Sequence, residues 1–263
     1  MIDSRTLITG IMPARGRSSM AAASLECWWR QTWPDKEIVI LDDIDLPAFP
    51  EFLAASAEMA GFGAQSATVG LSAPRTTDSG AQAVKGYNRP GLRYFALPNR
   101  ITIGEKRNLA CSLAHGSFVA HVDSDDWSAA GRLQDQMMHM RSDVSLVGYH
   151  SMLWTNGSSW WRYDGPLFDG AYGALGTSFL YRKPWWETHH FPRGPVKRVD
   201  AEDNPFVQAA MNAGVFVGVP AREMMVARIH PDNTSPKSTG GMRWHPVQDA
   251  STLQRYRAML GEL

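Results

Sequence analysis

The sequence predicts an α/β fold with a mostly parallel, Rossmann-like central sheet flanked by helices. Three observations lead to this prediction: short apolar runs without polar alternation, segments of helical length between them, and acidic residues where two of the runs end. Strands that are apolar on both faces are typical of parallel sheets, because helices cover such sheets on both sides. No repeat divides the chain, so we expect residues 1–263 to form a single domain.

The first half of the chain alternates predicted strands and helices. The predicted strands cover residues 6–12, 37–43, 92–97 and 117–123, and the predicted helices cover residues 17–33 and 103–116. Pro34 and Gly116 are expected to end the two helices, since Pro cannot continue a helix and Gly favours its C-terminal cap. The pattern loosens between residues 47 and 90: residues 51–62 could form a helix, whereas residues 63–90 are small, polar and punctuated by Gly and Pro. The latter stretch indicates an inserted surface loop that includes residues 65–90.

The second half is less regular. It predicts a helix over 132–143, a strand over 144–154, a hairpin over 154–165 and a strand over 176–183. A proline-broken loop is expected over 183–200, a helix over 203–213 and a closing helix from Val247 onward. We interpret this half as insertions built on the α/β core.

The composition excludes several classes of protein. The chain is 44% hydrophobic and 20% charged with a net charge of +0, so no global field favours nucleic acid or an anionic membrane as partner. Its two cysteines, Cys27 and Cys111, fall in predicted helices and suit reduced thiols. The N-terminal apolar run is too short for a signal peptide or a membrane span, so we expect no transmembrane segment and a cytoplasmic location.

Clustered carboxylates follow two of the predicted strands. Asp42 and Asp43 end one, and Asp123, Asp125 and Asp126 end another in the stretch SFVAHVDSDDW. Ligands bind beyond the carboxyl ends of parallel strands, and carboxylates this close together repel one another unless a cation lies between them. Oxygen ligands favour a hard ion such as Mg²⁺ or Mn²⁺. The alternative is that these residues only cap the following helix, because Asp and Ser are good N-caps.

Six short motifs occur in one order along about half of the chain. They are Pro13-Ala14-Arg15-Gly16-Arg17, Gln31-Thr32-Trp33-Pro34, Leu41-Asp42-Asp43, Gly104-Glu105-Lys106-Arg107-Asn108, Gly116-Ser117-Phe118-Val119 and Asp123-Ser124-Asp125-Asp126-Trp127. Together they resemble the family 2 glycosyltransferases of the A-type fold. The stretch Ala14-Arg15-Gly16 departs from the Thr-Tyr-Asn that the family usually has there.

The resemblance implies a metal-dependent inverting glycosyltransferase that uses a nucleotide-diphosphate sugar, most often a UDP-sugar. Residues 1–127 would form the nucleotide-sugar-binding half, and residues 128–263 the half that binds the acceptor and carries the catalytic base. Asp43 would bind the nucleobase, Asp123 the ribose, and Asp125 the Mn²⁺ or Mg²⁺ that bridges the diphosphate. Asp123 is also a candidate metal ligand, and the other candidate donor-binding residues are Pro13, Arg15, Arg107 and Ser124.

The stretch VDAEDNPF supplies a candidate base. An inverting transferase needs a carboxylate to deprotonate the acceptor hydroxyl. The family carries a Glu-Asp pair at a helix start in this region, so the resemblance assigns Asp203 as the base and Glu202 as its positioning neighbour; Asp200 is a less favoured substitute. The alternative is that these acids only complement the helix dipole.

His230, in the stretch ARIHPDNTSPK, is a further candidate site residue. Several A-type transferases complete the metal site with a histidine from the C-terminal segment, which implies that His230 binds the metal or the phosphate. Residues 233–241 are rich in Gly, Ser, Thr and Pro and would suit a lid over bound donor.

Tryptophans and basic residues in the second half suggest the acceptor. Indole rings stack on sugar faces, so Trp160, Trp161, Trp185 and Trp186 are candidates for lining an acceptor cleft. A locally basic segment could receive an anionic acceptor; it contains Arg182, Lys183, Arg193, Lys197 and Arg198. The acceptor would be a glycan, a lipid-linked molecule or another hydroxyl-bearing polymer, with nucleic acid as a minority alternative that rests on the basic segment alone.

Two other classes remain open from the sequence. A nucleotidyltransferase with a similar α/β core would also use clustered acids and a metal, and Arg15, Gly16 and Arg17 faintly resemble its phosphate loop. A sugar-binding module with Trp platforms and a bound cation would need no catalytic base.

Overall fold

The computed structural model describes residues 5–15, 18–43, 86–89, 91–194, 202–221, 223–233 and 237–260. Most of the predicted surface loop lies outside these residues, as do Asp200, Lys197, Arg198 and part of the predicted lid. No described helix is both long and apolar enough to cross a membrane.

The described chain forms fourteen strands and six α-helices. In chain order they are β1 (Ile8–Ala14), α1 (Ser18–Trp29), β2 (Lys36–Asp43), β3 (Gly86–Arg89), β4 (Leu92–Leu97), α2 (Ile103–Leu113), β5 (Phe118–His121), β6 (Trp127–Ser128), α3 (Arg132–Met138), β7 (Leu146–Thr155), β8 (Trp160–Asp164), β9 (Leu167–Phe168), β10 (Ala171–Tyr172), β11 (Leu180–Arg182), α4 (Lys183–Thr188), α5 (Asp203–Asn212), β12 (Phe216–Pro220), β13 (Met225–Arg228), β14 (Trp244–Pro246) and α6 (Ala250–Leu260). A 3₁₀ turn over Gly176–Ser178 precedes β11.

The central sheet is parallel in its core and antiparallel towards both edges. Its strand order is β14-β8-β7-β11-β5-β1-β2-β4-β3. Strands β5, β1, β2 and β4 are parallel neighbours, whereas β11 runs antiparallel to β5 and β7. Strands β12 and β13 add to β7 in parallel. The predicted α/β class with a mostly parallel core is confirmed.

The core strands are buried on both faces, as their composition predicts. In β2, Ile38 and Ile40 pack into one hydrophobic cluster, while Val39 and Leu41 pack into a second cluster on the other face. Each of these side chains is fully buried. Successive residues of a strand point to opposite faces, so an unbroken apolar run supplies two cores at once.

Several helix boundaries differ from the prediction. Helix α1 ends at Trp29, and Trp33 instead packs in the core with its indole Nε1 donating to the carbonyl of Thr6 at 2.9 Å. Helix α2 begins at a capping box between Thr102 and Glu105 and ends at Leu113. Gly116 does not cap it: a Cβ there would lie 2.7 Å from the backbone of Leu7, so Gly116 permits close approach to β1.

Two other expectations about elements change. The predicted loop 183–200 begins with helix α4, which has Pro184 in its first turn, where the missing N–H costs nothing. The Asp-Ser-Asp-Asp stretch is followed by the short strand β6, and the next helix begins only at Arg132. Cys27 and Cys111 are buried free thiols, as predicted.

Candidate active site

A cavity of 370 Å³ opens at the carboxyl ends of β1 and β5. Parallel strands end at the same edge of the sheet, and loops from several of them converge there. Seven of the predicted site residues line this cavity, together with Asp126: they are Pro13, Arg107, Asp123, Ser124, Asp125, Glu202 and Asp203. The same cavity therefore receives side chains from both halves of the chain.

The three aspartates after β5 have different partners. Asp126 accepts a hydrogen bond from the hydroxyl of Thr177 at 2.6 Å and one from the backbone N–H of Arg228 at 3.4 Å. Burial raises the pKa of Asp126 well above its ordinary value, and the negative charges of Asp125 and Asp123 raise it further. Asp126 thus holds three segments together at the cavity floor.

Asp125 contacts His230 directly. The imidazole Nε2 of His230 lies 3.0 Å from Oδ2 of Asp125, and the backbone N–H of His230 donates to the side chain of Asn233. His230 follows β13, which pairs with β6 just after the aspartates, and this pairing brings the two residues together although they are 105 positions apart. The predicted neighbourhood of Asp125 and His230 is therefore present.

The donor set around Asp125 fits a divalent cation only if a substrate supplies further ligands. Among the described residues, no three His, Cys, Asp or Glu side chains form a group that could hold a metal ion. Asp123, which is also predicted as a ligand, accepts a hydrogen bond on Oδ1 from Arg107 at 3.3 Å. Mg²⁺ commonly binds through one or two carboxylates plus substrate phosphates, so one carboxylate and one imidazole are a chemically reasonable partial set.

Arg107 connects the two halves of the site. Its guanidinium is buried, pairs with Asp123 through Nη2 and pairs with Glu202 through Nη1. Burial raises the pKa of Asp123, although Arg107 opposes this shift. The predicted donor-binding residue Arg107 thus has two carboxylate partners of its own, and it fixes Glu202 beside Asp123.

Asp203 is the first residue of helix α5. Unlike Glu202 and Asp123, it forms no ion pair among the described residues. Its Oδ1 is buried without a hydrogen-bond partner among the described residues. Burial and the neighbouring Glu202 raise the pKa of Asp203 to about 6, although Arg107 lowers it. Its Oδ2 packs against Gly176 so closely that a Cβ at Gly176 would lie 1.8 Å away. A carboxylate with a pKa near neutrality in a cavity is well suited to general-base catalysis.

Asp43 is the last residue of β2, the strand next to β1, and it is not among the residues that line the cavity. Its Oδ2 pairs with Nζ of Lys106 at 2.5 Å, and its Oδ1 is buried without a partner among the described residues. Lys106 also donates to the carbonyl of Ala14 at the end of β1. Arg15 is exposed and lies two residues after Pro13, which lines the cavity.

The sequence model of glycosyl transferase family 2 matches residues 74–217. The chain belongs to this family. No curated protein sequence matches it.

The fold is shared with many solved structures, including the following two. S. aureus TarS 1-349, in complex with UDP-GlcNAc, is 16% identical with a TM-score of 0.61, covering 88% of this chain and 62% of that one. The mannosyltransferase PcManGT from Pyrobaculum calidifontis, in complex with GDP-Man and Mn²⁺, is 15% identical with a TM-score of 0.59, covering 87% of this chain and 59% of that one. This family 2 chain therefore spans about three fifths of the length of each of these structures.

The four predicted acceptor tryptophans do not line the cavity of this family 2 chain. Trp160 is 3% exposed and packs on Tyr256, and Trp161 packs edge-on against Trp244. Trp185 stacks on His189 with ring centroids 3.6 Å apart. Trp186 is 8% exposed and donates from Nε1 to Asn108. Trp160 and Trp186 are buried and Trp161 and Trp185 are half-buried, and all four rings pack against neighbouring side chains.

Other aromatic residues line this cavity. Trp154, Tyr163 and Trp244 line the cavity. The hairpin pattern predicts that Trp154 and Tyr163 lie on paired strands. The face of the hairpin that each side chain occupies depends on the strand register, and in the structure Tyr163 pairs with Met152. Nothing in the sequence signals that Trp244 joins them, because β14 is a three-residue strand from a distant segment.

Proposed function

We propose that this protein transfers a sugar from a nucleoside-diphosphate sugar to an acceptor hydroxyl with inversion at the anomeric carbon. The observation that carries the proposal is that Asp203 and Asp125 line one cavity at the carboxyl edge of the sheet, and that His230 contacts Asp125. The first supplies a base and the second a partial site for a divalent cation.

In the proposed reaction, Asp203 accepts the proton of the acceptor hydroxyl. The acceptor oxygen forms a bond to the anomeric carbon while the bond from that carbon to the diphosphate oxygen breaks, and the electron pair leaves with the diphosphate. A Mn²⁺ or Mg²⁺ ion held by Asp125 and His230 would stabilise the charge that develops on this leaving group. Arg107 keeps Glu202 and Asp123 neutralised beside Asp203.

On the donor side, Asp123 and Ser124 line the cavity beside Asp125 in the sequence. Asp43 ends the strand next to that of Pro13, and its Oδ1 has no hydrogen-bond partner among the described residues. These positions support a ribose contact for Asp123 and leave a buried acceptor atom on Asp43 for a nucleobase N–H. The complexes of UDP-GlcNAc with TarS and of GDP-Man with PcManGT make uridine and guanosine donors the first to test.

The proposal is tested by incubating the protein with UDP-GlcNAc or GDP-Man and measuring release of UDP or GDP, with Mn²⁺ and with EDTA. We expect release from one donor, reduced by about 100-fold or more in EDTA because the leaving group loses its counter-charge. The anomeric configuration of the product, read by proton NMR, should be opposite to that of the donor. Metal-independent turnover, or retention of configuration, would contradict the mechanism.

The same assay separates this proposal from the nucleotidyltransferase alternative. A nucleotidyltransferase releases pyrophosphate from a nucleoside triphosphate and no nucleoside diphosphate from the sugar donors. The segment that suggested a phosphate loop includes Gly16 and Arg17, which lie outside the described residues, so no observation in the structure favours that alternative.

A further inference from the structure

One part of the cavity wall is aromatic. Trp244 lies at its centre, with its ring centroid 4.5 Å from that of Tyr163 and 5.4 Å from that of Trp154. Trp154 is only 7% exposed, whereas Tyr163 and Trp244 are partly exposed. Trp154 therefore supports the other two rings, which present apolar surface to the cavity.

Two cations lie over these rings. Nζ of Lys237 is 5.0 Å from the ring centroid of Trp154, and the guanidinium carbon of Arg243 is 5.4 Å from that of Tyr163. Both side chains line the cavity. A cation over an aromatic face is attracted by the negative charge of that face, so the rings favour these positions of the two exposed side chains without a carboxylate.

Neither cation has an anionic partner among the described residues. Arg243 donates to the carbonyl of Gly165 at 3.1 Å, and Lys237 is within ion-pair distance of no described carboxylate. The nearest acid along the chain to the aromatic wall, Asp164, pairs instead with His245 at 2.9 Å and with Arg162 at 3.7 Å. Arg107 differs from both cations because it already pairs with two carboxylates.

Five carboxylates line the same cavity, but neither cation forms an ion pair with any of them, so the charge of both cations is available to a bound anion. The donor diphosphate is one anion, but the cation at Asp125 and His230 would neutralise it. Arg228 is a further cation that lines the cavity. It is two residues from His230 in the sequence, so it is nearer in the chain to the proposed cation site than Lys237 and Arg243 are. Lys237 and Arg243 are associated with the aromatic wall, where the ring face of an acceptor would stack.

We propose that Tyr163, Trp244, Lys237 and Arg243 form an acceptor subsite for an anionic glycan, a sugar or polyol unit that carries a phosphate or carboxylate group. This inference rests on the proposed glycosyl transfer and names its acceptor class. The rings contact the C–H face of the unit, and the cations bind its charge. Without the two cations, the nearby carboxylates would repel such an acceptor.

The subsite is tested with three probes: glucose, glucose 6-phosphate and glucuronate. Each is titrated into the protein in the presence of UDP and Mn²⁺, and binding is followed by ligand-observed NMR. We expect the two charged probes to bind about 10-fold more tightly than glucose, because hydrogen bonds to a charged group are the stronger ones. The ratio of the two charged probes identifies which anionic group the subsite prefers.

The double variant K237Q/R243Q should bind all three probes within about 2-fold of one another. Trp244→Ala should weaken all three together, because it removes the stacking surface and leaves both cations in place. The matched control R30Q/R141Q removes two exposed positive charges that pair with Glu26 and Asp143, and it should keep the preference.

Equal binding of glucose and the charged probes to the natural protein would overturn the inference. An equal loss of UDP affinity in K237Q/R243Q would also overturn it, since the cations would then serve the donor. Tighter binding of a short single-stranded oligonucleotide than of glucose 6-phosphate would replace the glycan with a nucleic acid. Failure of UDP and GDP to bind the natural protein would instead reject the proposed function, independently of the probe preference.

Discussion

Asp203 is the residue whose environment differs most from that of its acidic neighbours. Glu202 and Asp123 share the buried guanidinium of Arg107, and Asp126 accepts hydrogen bonds from Thr177 and Arg228. Asp203 is left with a buried oxygen that has no described partner. A buried carboxylate oxygen without a partner favours taking up a proton, in agreement with the raised pKa of Asp203.

This environment gives Asp203→Asn a stability effect that depends on pH. The folded-state pKa of about 6 lies above the ordinary 3.8, so the folded protein binds this proton more tightly than the unfolded chain does. The free energy of unfolding consequently falls as the pH rises from about 4 to about 6, and the loss persists above this window. An asparagine cannot become charged and avoids this loss.

Urea unfolding at about pH 4 and about pH 8 measures the effect. We expect Asp203→Asn to be more stable than the natural protein by about 1–3 kcal/mol at the higher pH, with the difference much reduced at the lower pH. The exposed Asp232, changed to Asn in the same way, should have no such effect. Equal stability of Asp203→Asn and the natural protein at both pH values would contradict the buried, unpartnered position of Asp203.

At the scale of elements, the 3₁₀ turn Gly176–Ser178 positions two of the acids. Gly176 contacts Asp203, and Thr177 donates to Asp126. Two buried side chains hold the turn in place. Nδ1 of His121 lies 2.6 Å from the Gly176 carbonyl, and Gln136 donates to the Ser178 carbonyl. Burial lowers the pKa of His121 well below its ordinary value, so its ring is neutral and donates from Nδ1 to this carbonyl.

Gly176→Ala should therefore impair catalysis more than folding. The added Cβ would lie 1.8 Å from Oδ2 of Asp203 and 2.6 Å from its Cβ, so the base must move away from its position. We expect the rate of sugar transfer to fall by about 100-fold, since misplacing a catalytic group by about 1 Å has an effect of this size. The affinity for UDP in the presence of Mn²⁺ should stay the same.

Gly131→Ala is the matched control, because a Cβ at Gly131 meets nothing within 4 Å. Its transfer rate should equal that of the natural protein. A Gly176→Ala variant with full transfer activity would show that the turn does not position Asp203.

The elements that the sequence predicts well are those whose local composition decides their structure. Strand β2 was predicted because Ile38 to Leu41 supply both cores, and the hairpin of β7 and β8 because Asn156 and Gly157 favour a turn, with Gly157 at φ +92°. Helix α4 was missed because Pro184 was interpreted as a helix breaker, although Pro is well tolerated in a first turn.

At the scale of the whole molecule, the sheet brings the two halves of the chain together. The acids after β5 were predictable as a site, since parallel strands present their carboxyl ends at one edge. The contact of Asp125 with His230 depends on pairing between β6 and β13, and the aromatic wall depends on β14 pairing with β8. These pairings join distant segments, which local sequence patterns do not determine.

The measurement that most directly tests the central claim compares sugar transfer and donor binding in Asp203→Asn. If Asp203 is the base at the acceptor and Asp125 with His230 holds the cation at the donor, a change at Asp203 should impair sugar transfer without weakening donor binding. The transfer rate should fall by about 1,000-fold or more, while the Kd for UDP with Mn²⁺ stays within about 2-fold of that of the natural protein. Asp125→Asn should instead weaken UDP binding in the presence of Mn²⁺. An Asp203→Asn variant that transfers sugar at a rate close to the natural one would contradict the account.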